Sequence, residues 1–156
     1  MEKRFQDLNI WESSIVKNME NEIKLQVGVK VLIKNKEGKY LLLKRSDKKY
    51  PNMEGKWDIV GGRIDPGKTL IENLKREIEE ETSLSLKEDP KLICAQDIIR
   101  GEDVHVVRLT YIGKADGDVK LDSEEHVSCK WVSEEELRSF DDLDIYFKEV
   151  LRGDTI

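Results

Sequence analysis

Glu77, Glu80 and Glu81 have the types and spacing most able to do chemistry in this chain. Positions i, i+3 and i+4 of a helix share one face. Three carboxylates there repel one another, and like charges at this spacing cost a helix a few tenths of a kcal/mol. A divalent cation relieves that repulsion. Mg²⁺ takes a few carboxylates, keeps several waters and draws further ligands from phosphate oxygens. An acidic face is also what an ordinary solvated helix presents, and Glu79 beside the three fits that description. The surroundings decide between the two. Gly61-Gly62 precedes a short loop leading into the helix, and glycine lets backbone approach a ligand closely. A glycine pair, a loop and an acidic helix together make a cradle for phosphate and metal.

The elements that must position these residues are legible. Thr69 with Glu72 forms a capping box opening a helix over residues 70–82. Leu70, Leu74 and Ile78 supply its buried stripe. Residues 25–34 and 39–45 read as strands around the turn Asn35-Lys36-Glu37-Gly38, which predicts a hairpin. Residues 57–60 read as a short strand ending at the glycine pair. Residues 92–99 and 104–112 follow as strands around Gly101, then a strand over 128–132. Ser133 with Glu136 opens a helix to about residue 140, and residues 143–151 read as another helix. The expected fold class is mixed α/β: several strands, one central helix and one or two C-terminal helices. Residues 1–24 read as an N-terminal extension and 25–156 as one domain.

The stretch from Gly62 to Leu84 resembles the Nudix box: Gly, five residues, Glu, seven residues, then Arg-Glu-aliphatic-any-Glu-Glu-any-Gly-aliphatic. Gly62, Arg76, Glu77, Ile78, Glu80, Glu81 and Leu84 fall in register. Leu41-Leu42-Leu43-Lys44-Arg45 and Gly55-Lys56-Trp57 upstream, and Trp131-Val132-Ser133 downstream, fit the same family. The resemblance implies an α/β/α sandwich around a mixed sheet. It also implies Mg²⁺-dependent hydrolysis, with Mn²⁺ as a substitute, of a pyrophosphate bond in a nucleoside diphosphate linked to a further group. It assigns Glu77, Glu80, Glu81 and the Gly61 carbonyl to metal, Arg76 to orienting Glu77, and a late acid, Glu125 or its neighbour Glu124, to the same site. Two box positions depart: Lys68 stands for Glu and Ser83 for Gly. Lys68 cannot pair with Arg76, which leaves Glu72 as the expected partner. Ser83, at a helix end favouring left-handed backbone, costs about 1 kcal/mol relative to Gly.

The substrate expected by default is a nucleoside triphosphate, an oxidised one included, giving a nucleoside monophosphate and pyrophosphate. An ADP-sugar or dinucleotide pyrophosphatase is the alternative within the family, though the segment Ile99-Arg100-Gly101 lacks the proline or tyrosine those subgroups carry. A non-catalytic nucleotide-binding module is the alternative outside it, favoured by Lys68. Arg45, at a strand end, either touches phosphate or sits solvated. His126 contacts substrate, together with Gly61 and Gly62, or faces solvent. His105, Trp57, Trp131, Tyr111 and Phe140 read as structural.

The chain has 156 residues, 38% of them charged, and a net charge of −6. With no basic cluster free of acidic neighbours, a nucleic acid polymer is not an expected partner. A small nucleotide is, in a monomer or homodimer. No run of about 18 apolar residues exists to span a membrane. Cys94 and Cys129 read as reduced thiols of a cytoplasmic protein.

Overall fold

The computed structural model describes residues 23–153 and 156. The expectation of an N-terminal extension therefore lies almost wholly outside the described residues, and Lys24 already belongs to the first strand. Strand β1 (Lys24–Lys34) is the axis of a seven-stranded mixed sheet. Strand β6 (Val104–Lys114) runs parallel to it along its whole length, and β5 (Lys91–Arg100) pairs antiparallel with β6. On the other edge of β1 lies β4 (Val60–Arg63), in register from Gly28–Arg63 to Val31–Val60.

The expected hairpin of β1 with β2 (Tyr40–Arg45) shrinks to one residue pair, Lys34–Tyr40. The turn forms as expected, with Asn35 Oδ1 accepting from the backbone N–H groups of Glu37 and Lys39. Beyond it the strands part, because β2 pairs instead with β7 (His126–Val132) and with β3 (Trp57–Asp58). The strand expected over 57–60 is likewise two, β3 and β4, broken at Ile59. The glycine pair lies inside β4 and does not follow it.

The run Val-Gly-Val-Lys-Val-Leu-Ile in β1 reads as nearly continuous because both faces of the sheet are covered. Val29, Val31 and Ile33 face a core completed by Leu74 and Ile78 of helix α1 (Leu70–Thr82). Leu32 faces the opposite core. That core holds Leu137 of helix α2 (Glu134–Arg138) and Phe147, Val150 and Leu151 of helix α3 (Ile145–Arg152). Helix, sheet and helices form the expected α/β/α sandwich. Trp57 and Trp131 pack against the second and first cores respectively, and Phe140 meets Trp57 edge to face at 5.5 Å. Both cysteines are free. No described helix is long and apolar enough to cross a membrane.

Both capping boxes are present, Thr69 with Glu72 and Ser133 with Glu136. Helix α1 stops at Ser83, whose φ of 58° and ψ of 17° are left-handed. An L-side chain is disfavoured there and glycine is not. Ser83→Gly is therefore expected to raise stability by about 1 kcal/mol, read as a shifted urea midpoint with an unchanged slope.

Candidate active site

Helix α1 and strand β4 bring the box residues together. Gly61 adopts a φ of 128°, and a Cβ there would lie 2.1 Å from the Val29 carbonyl oxygen, so only glycine lets β4 run this close to β1. A Cβ on Gly62 would lie 2.7 Å from Glu77 Oε1. The second glycine thus makes room for a helix carboxylate. The connecting loop is held by Asn73, fully buried, whose Oδ1 accepts from the Asp65 N–H at 2.7 Å and whose Nδ2 donates to the Thr69 carbonyl at 2.9 Å.

The three helix carboxylates have different surroundings. Glu81 is 5% exposed and accepts from the Gly61 N–H at 2.9 Å. Burial pushes its carboxyl up to about 7, opposed by Lys30 and the Gly61 N–H and reinforced by the charges of Glu77 and Asp58. Glu77 is also raised by burial, against the pull of Arg76. Glu80 shares the helix face but not the cleft. Its carboxylate is mostly exposed and pairs with Arg76 at 2.9 Å.

Arg76 meets Glu77 at 2.8 Å. Its remaining partner differs from expectation. Glu72 is consumed by the capping box, its Oε2 accepting from the Thr69 N–H at 2.7 Å, and Asp65 takes the place at 3.2 Å from Arg76 Nε. Lys68 lies 3.6 Å from the same Asp65 and is half exposed. The acid expected at the Lys68 position is thus replaced by Asp65, three residues earlier. Lys68→Glu should change turnover less than threefold, since an exposed ion pair contributes at most about 1 kcal/mol. A tenfold gain in kcat would show that Lys68 restrains the site.

A cleft of about 550 Å³ joins these groups. Glu77, Glu81 and Glu125 line it with Lys30, Arg45 and Arg76. Glu125 pairs with Lys49 and accepts a weak hydrogen bond of 3.4 Å from the Tyr50 hydroxyl, whereas Glu124 is exposed and outside the cleft. His126 does not face solvent. It is 6% exposed, and burial, aided by Lys30, holds its imidazole down at about 4, so it is neutral. Oxygen atoms of Glu81 and Glu125 and a ring nitrogen of His126 lie within 4.8 Å of one another. The donor set of two carboxylates and a neutral imidazole fits a divalent cation.

Arg45 is not solvated either. Its Nη2 lies 2.6 Å from Asp58 and 3.1 Å from Asp144. Asp58 also takes Lys30 at 2.7 Å, and Asp144 takes Arg108 at 2.7 Å. This buried network of three cations and two acids backs the cleft. Reading along the sequence missed all of it except Arg45. The available signal was a charge inside each apolar run: Lys30 between valines, Asp58 between Trp57 and Ile59, Arg108 between Val107 and Leu109.

A sheet enclosed by helices, with a glycine-lined strand facing carboxylates on the adjoining helix, leaves a charged cleft whose donors suit a divalent cation and a phosphorylated ligand. The NUDIX domain signature matches residues 24–152. The chain is 34% identical to the Nucleoside triphosphatase NudI of Escherichia coli K12, over 78% of this chain and 90% of that protein. It superposes on the MutT protein of Methanosarcina mazei Go1 with a TM-score of 0.70, at 29% identity, over 84% of this chain and 93% of that one. The MutT NUDIX hydrolase of Burkholderia pseudomallei gives 0.71 at 27% identity, over 85% and 99%. The chain belongs to the Nudix family and is a Nudix hydrolase.

Proposed function

We propose that the protein hydrolyses a nucleoside triphosphate to the monophosphate and pyrophosphate, using Mg²⁺ in a cytoplasmic setting. The observation that carries this reading is the convergence of Glu77, Glu81 and Glu125 on one cleft that also presents Lys30, Arg45 and Arg76. A bound divalent cation neutralises phosphate oxygens, lowers the pKa of its water and stabilises charge on the leaving phosphate. Glu81 and Glu125, with Glu77 and the Gly61 carbonyl, would hold such a cation, and Glu80 would add a ligand from the same helix face if its side chain left Arg76. Lys30 and Arg45 meet the remaining phosphate charge. The attacking water gives its proton to a carboxylate of the cleft. A smaller hollow of about 160 Å³ shares Lys30, Arg45 and the glycine pair and adds Ile98 and Val106. Ile98 and Val106 give it one apolar wall on which a base could pack, among the charged side chains of Asp58, Arg100, Arg108 and Asp144. The relative named a nucleoside triphosphatase supports the triphosphate over an ADP-sugar or dinucleotide. With Asp65 serving Arg76, Lys68 no longer favours a non-catalytic module.

The test incubates the purified protein with Mg²⁺ and a panel of nucleoside triphosphates, oxidised ones included, ADP-ribose, NADH and dinucleoside polyphosphates. Pyrophosphate release from triphosphates, absent in EDTA and in Glu77→Gln, is expected. Nucleotide binding without turnover on any member sinks the proposal, and cleavage confined to ADP-ribose or dinucleotides reassigns the substrate.

A further inference from the structure

We infer that His126 is a nitrogen ligand to the divalent cation of this cleft, so that the site formed with Glu81 and Glu125 binds Mn²⁺ or Co²⁺ in preference to Mg²⁺. The inference shares its cleft with the proposed hydrolysis but concerns the chemistry of the cation.

His126 opens strand β7, where its backbone N–H donates to the Asp122 carbonyl at 2.9 Å and its Cα pairs with Arg45 across an irregularity in the ladder. These contacts fix the backbone of His126, and its ring shares the cleft with Glu81 and Glu125. His126 as a residue is 94% buried, with 6% of its surface exposed, and its Nδ1 has no hydrogen-bond partner among the described residues. Leaving a buried polar atom unpartnered costs about 1–3 kcal/mol. A core histidine ordinarily avoids that by bonding to a carbonyl or hydroxyl. Here a ring nitrogen instead lies within 4.8 Å of one carboxylate oxygen from Glu81 and one from Glu125. Metal–ligand bonds of about 2.0–2.2 Å place ligand atoms within about 4.4 Å of each other, close to this limit, so one ion can touch all three once the side chains draw together. Small side-chain shifts close the difference.

Among the described residues the cation paired with Glu125 is Lys49, whose side chain is 43% exposed and can withdraw into solvent.

The chemistry of the donors sets the preference. Mg²⁺ favours an all-oxygen shell and dehydrates reluctantly, whereas imidazole suits the later first-row ions, whose affinities rise from Mn²⁺ through Co²⁺. The full-length protein, free of nucleotide, is loaded with Mn²⁺ and its electron spin echo modulation is recorded. Modulation from a directly coordinated imidazole ¹⁴N is expected, and it should vanish in His126→Gln. By calorimetry, His126→Gln should lose about tenfold or more in Mn²⁺ affinity and less than threefold in Mg²⁺ affinity. Bound Mn²⁺ with no ¹⁴N modulation in the unsubstituted protein overturns the inference, even if His126→Gln does not fold. Equal losses for the two metals overturn it as well. Neither result bears on hydrolysis, which the substrate panel reads separately, so the two readings fail independently.

Discussion

Asp58→Ala is expected to lower the free energy of unfolding by about 3–5 kcal/mol, the usual cost of stranding buried charge. The Asp58 carboxylate is 1% exposed. One oxygen meets Lys30 and Arg45, and the other accepts from the Ile59 N–H at 2.8 Å and lies 3.6 Å from Arg108. Burial alone would raise its pKa, but Lys30, Arg108 and Arg45 outweigh burial and hold the carboxyl well below the usual range. A depressed carboxylate contributes stability above its unfolded pKa and loses it as pH falls through the folded value. Asp58 therefore belongs to the protein's resistance to mild acid. With the acid gone, Arg45 and Arg108 share Asp144 and Lys30 loses its carboxylate partner, which leaves Lys30 and Arg45 under-neutralised on the wall of the cleft. Guanidinium unfolding at pH 7 checks the figure. A loss under 1 kcal/mol would mean that water reaches the network and screens it.

The same network marks where reading from sequence stopped. Periodicity located helix α1, both capping boxes and most strands, because those signals are local: an alternation, a cap, a turn. Glu77 and Glu81 are legible because the spacing of the box is itself local, and Glu125 through the family resemblance alone, six residues before Trp131; all three line one cleft. Partnerships were not legible. Strand β2 leaves its turn neighbour β1 for β7, more than eighty positions later in the chain, and no local pattern specifies that choice. Glu72 was the natural partner for Arg76 by helical spacing, yet the capping box claims it and a loop acid takes its place. The buried ions were hidden for a related reason. A charge within an apolar strand reads as an interruption until its partners, arriving from other strands and from the cap of α3, are known.

Glu81→Gln is expected to separate stability from function. A carboxyl raised from its ordinary value to about 7 keeps its proton in the folded protein while the unfolded chain ionises. Stability then falls as pH rises between about 4.5 and 7 and levels off above, with a total loss of about 3 kcal/mol at roughly 1.4 kcal/mol per unit. Gln carries no titrating proton, yet its side-chain oxygen can still accept from the Gly61 N–H. In EDTA at pH 8 the variant should therefore be more stable than the parent, by up to about 3 kcal/mol, and should lack that pH dependence, whereas near pH 4.5 the two should agree. On the proposed reading the same change removes a charged ligand of the cation, so turnover should drop by about 10²–10³-fold or more. Adding Mn²⁺ or Mg²⁺ should raise the melting temperature of the parent and leave the variant nearly unmoved, by mass action on the folded state. A variant less stable than the parent at pH 8 without metal would show that Glu81 is already ionised and paired there, with Lys30 as the partner at hand. The strain at Glu81 would then be absent, and the cation would be needed for chemistry alone. If the variant is the more stable, the cleft holds a carboxylate that is unfavourable without its cation, and binding that cation relieves part of the cost of building the site.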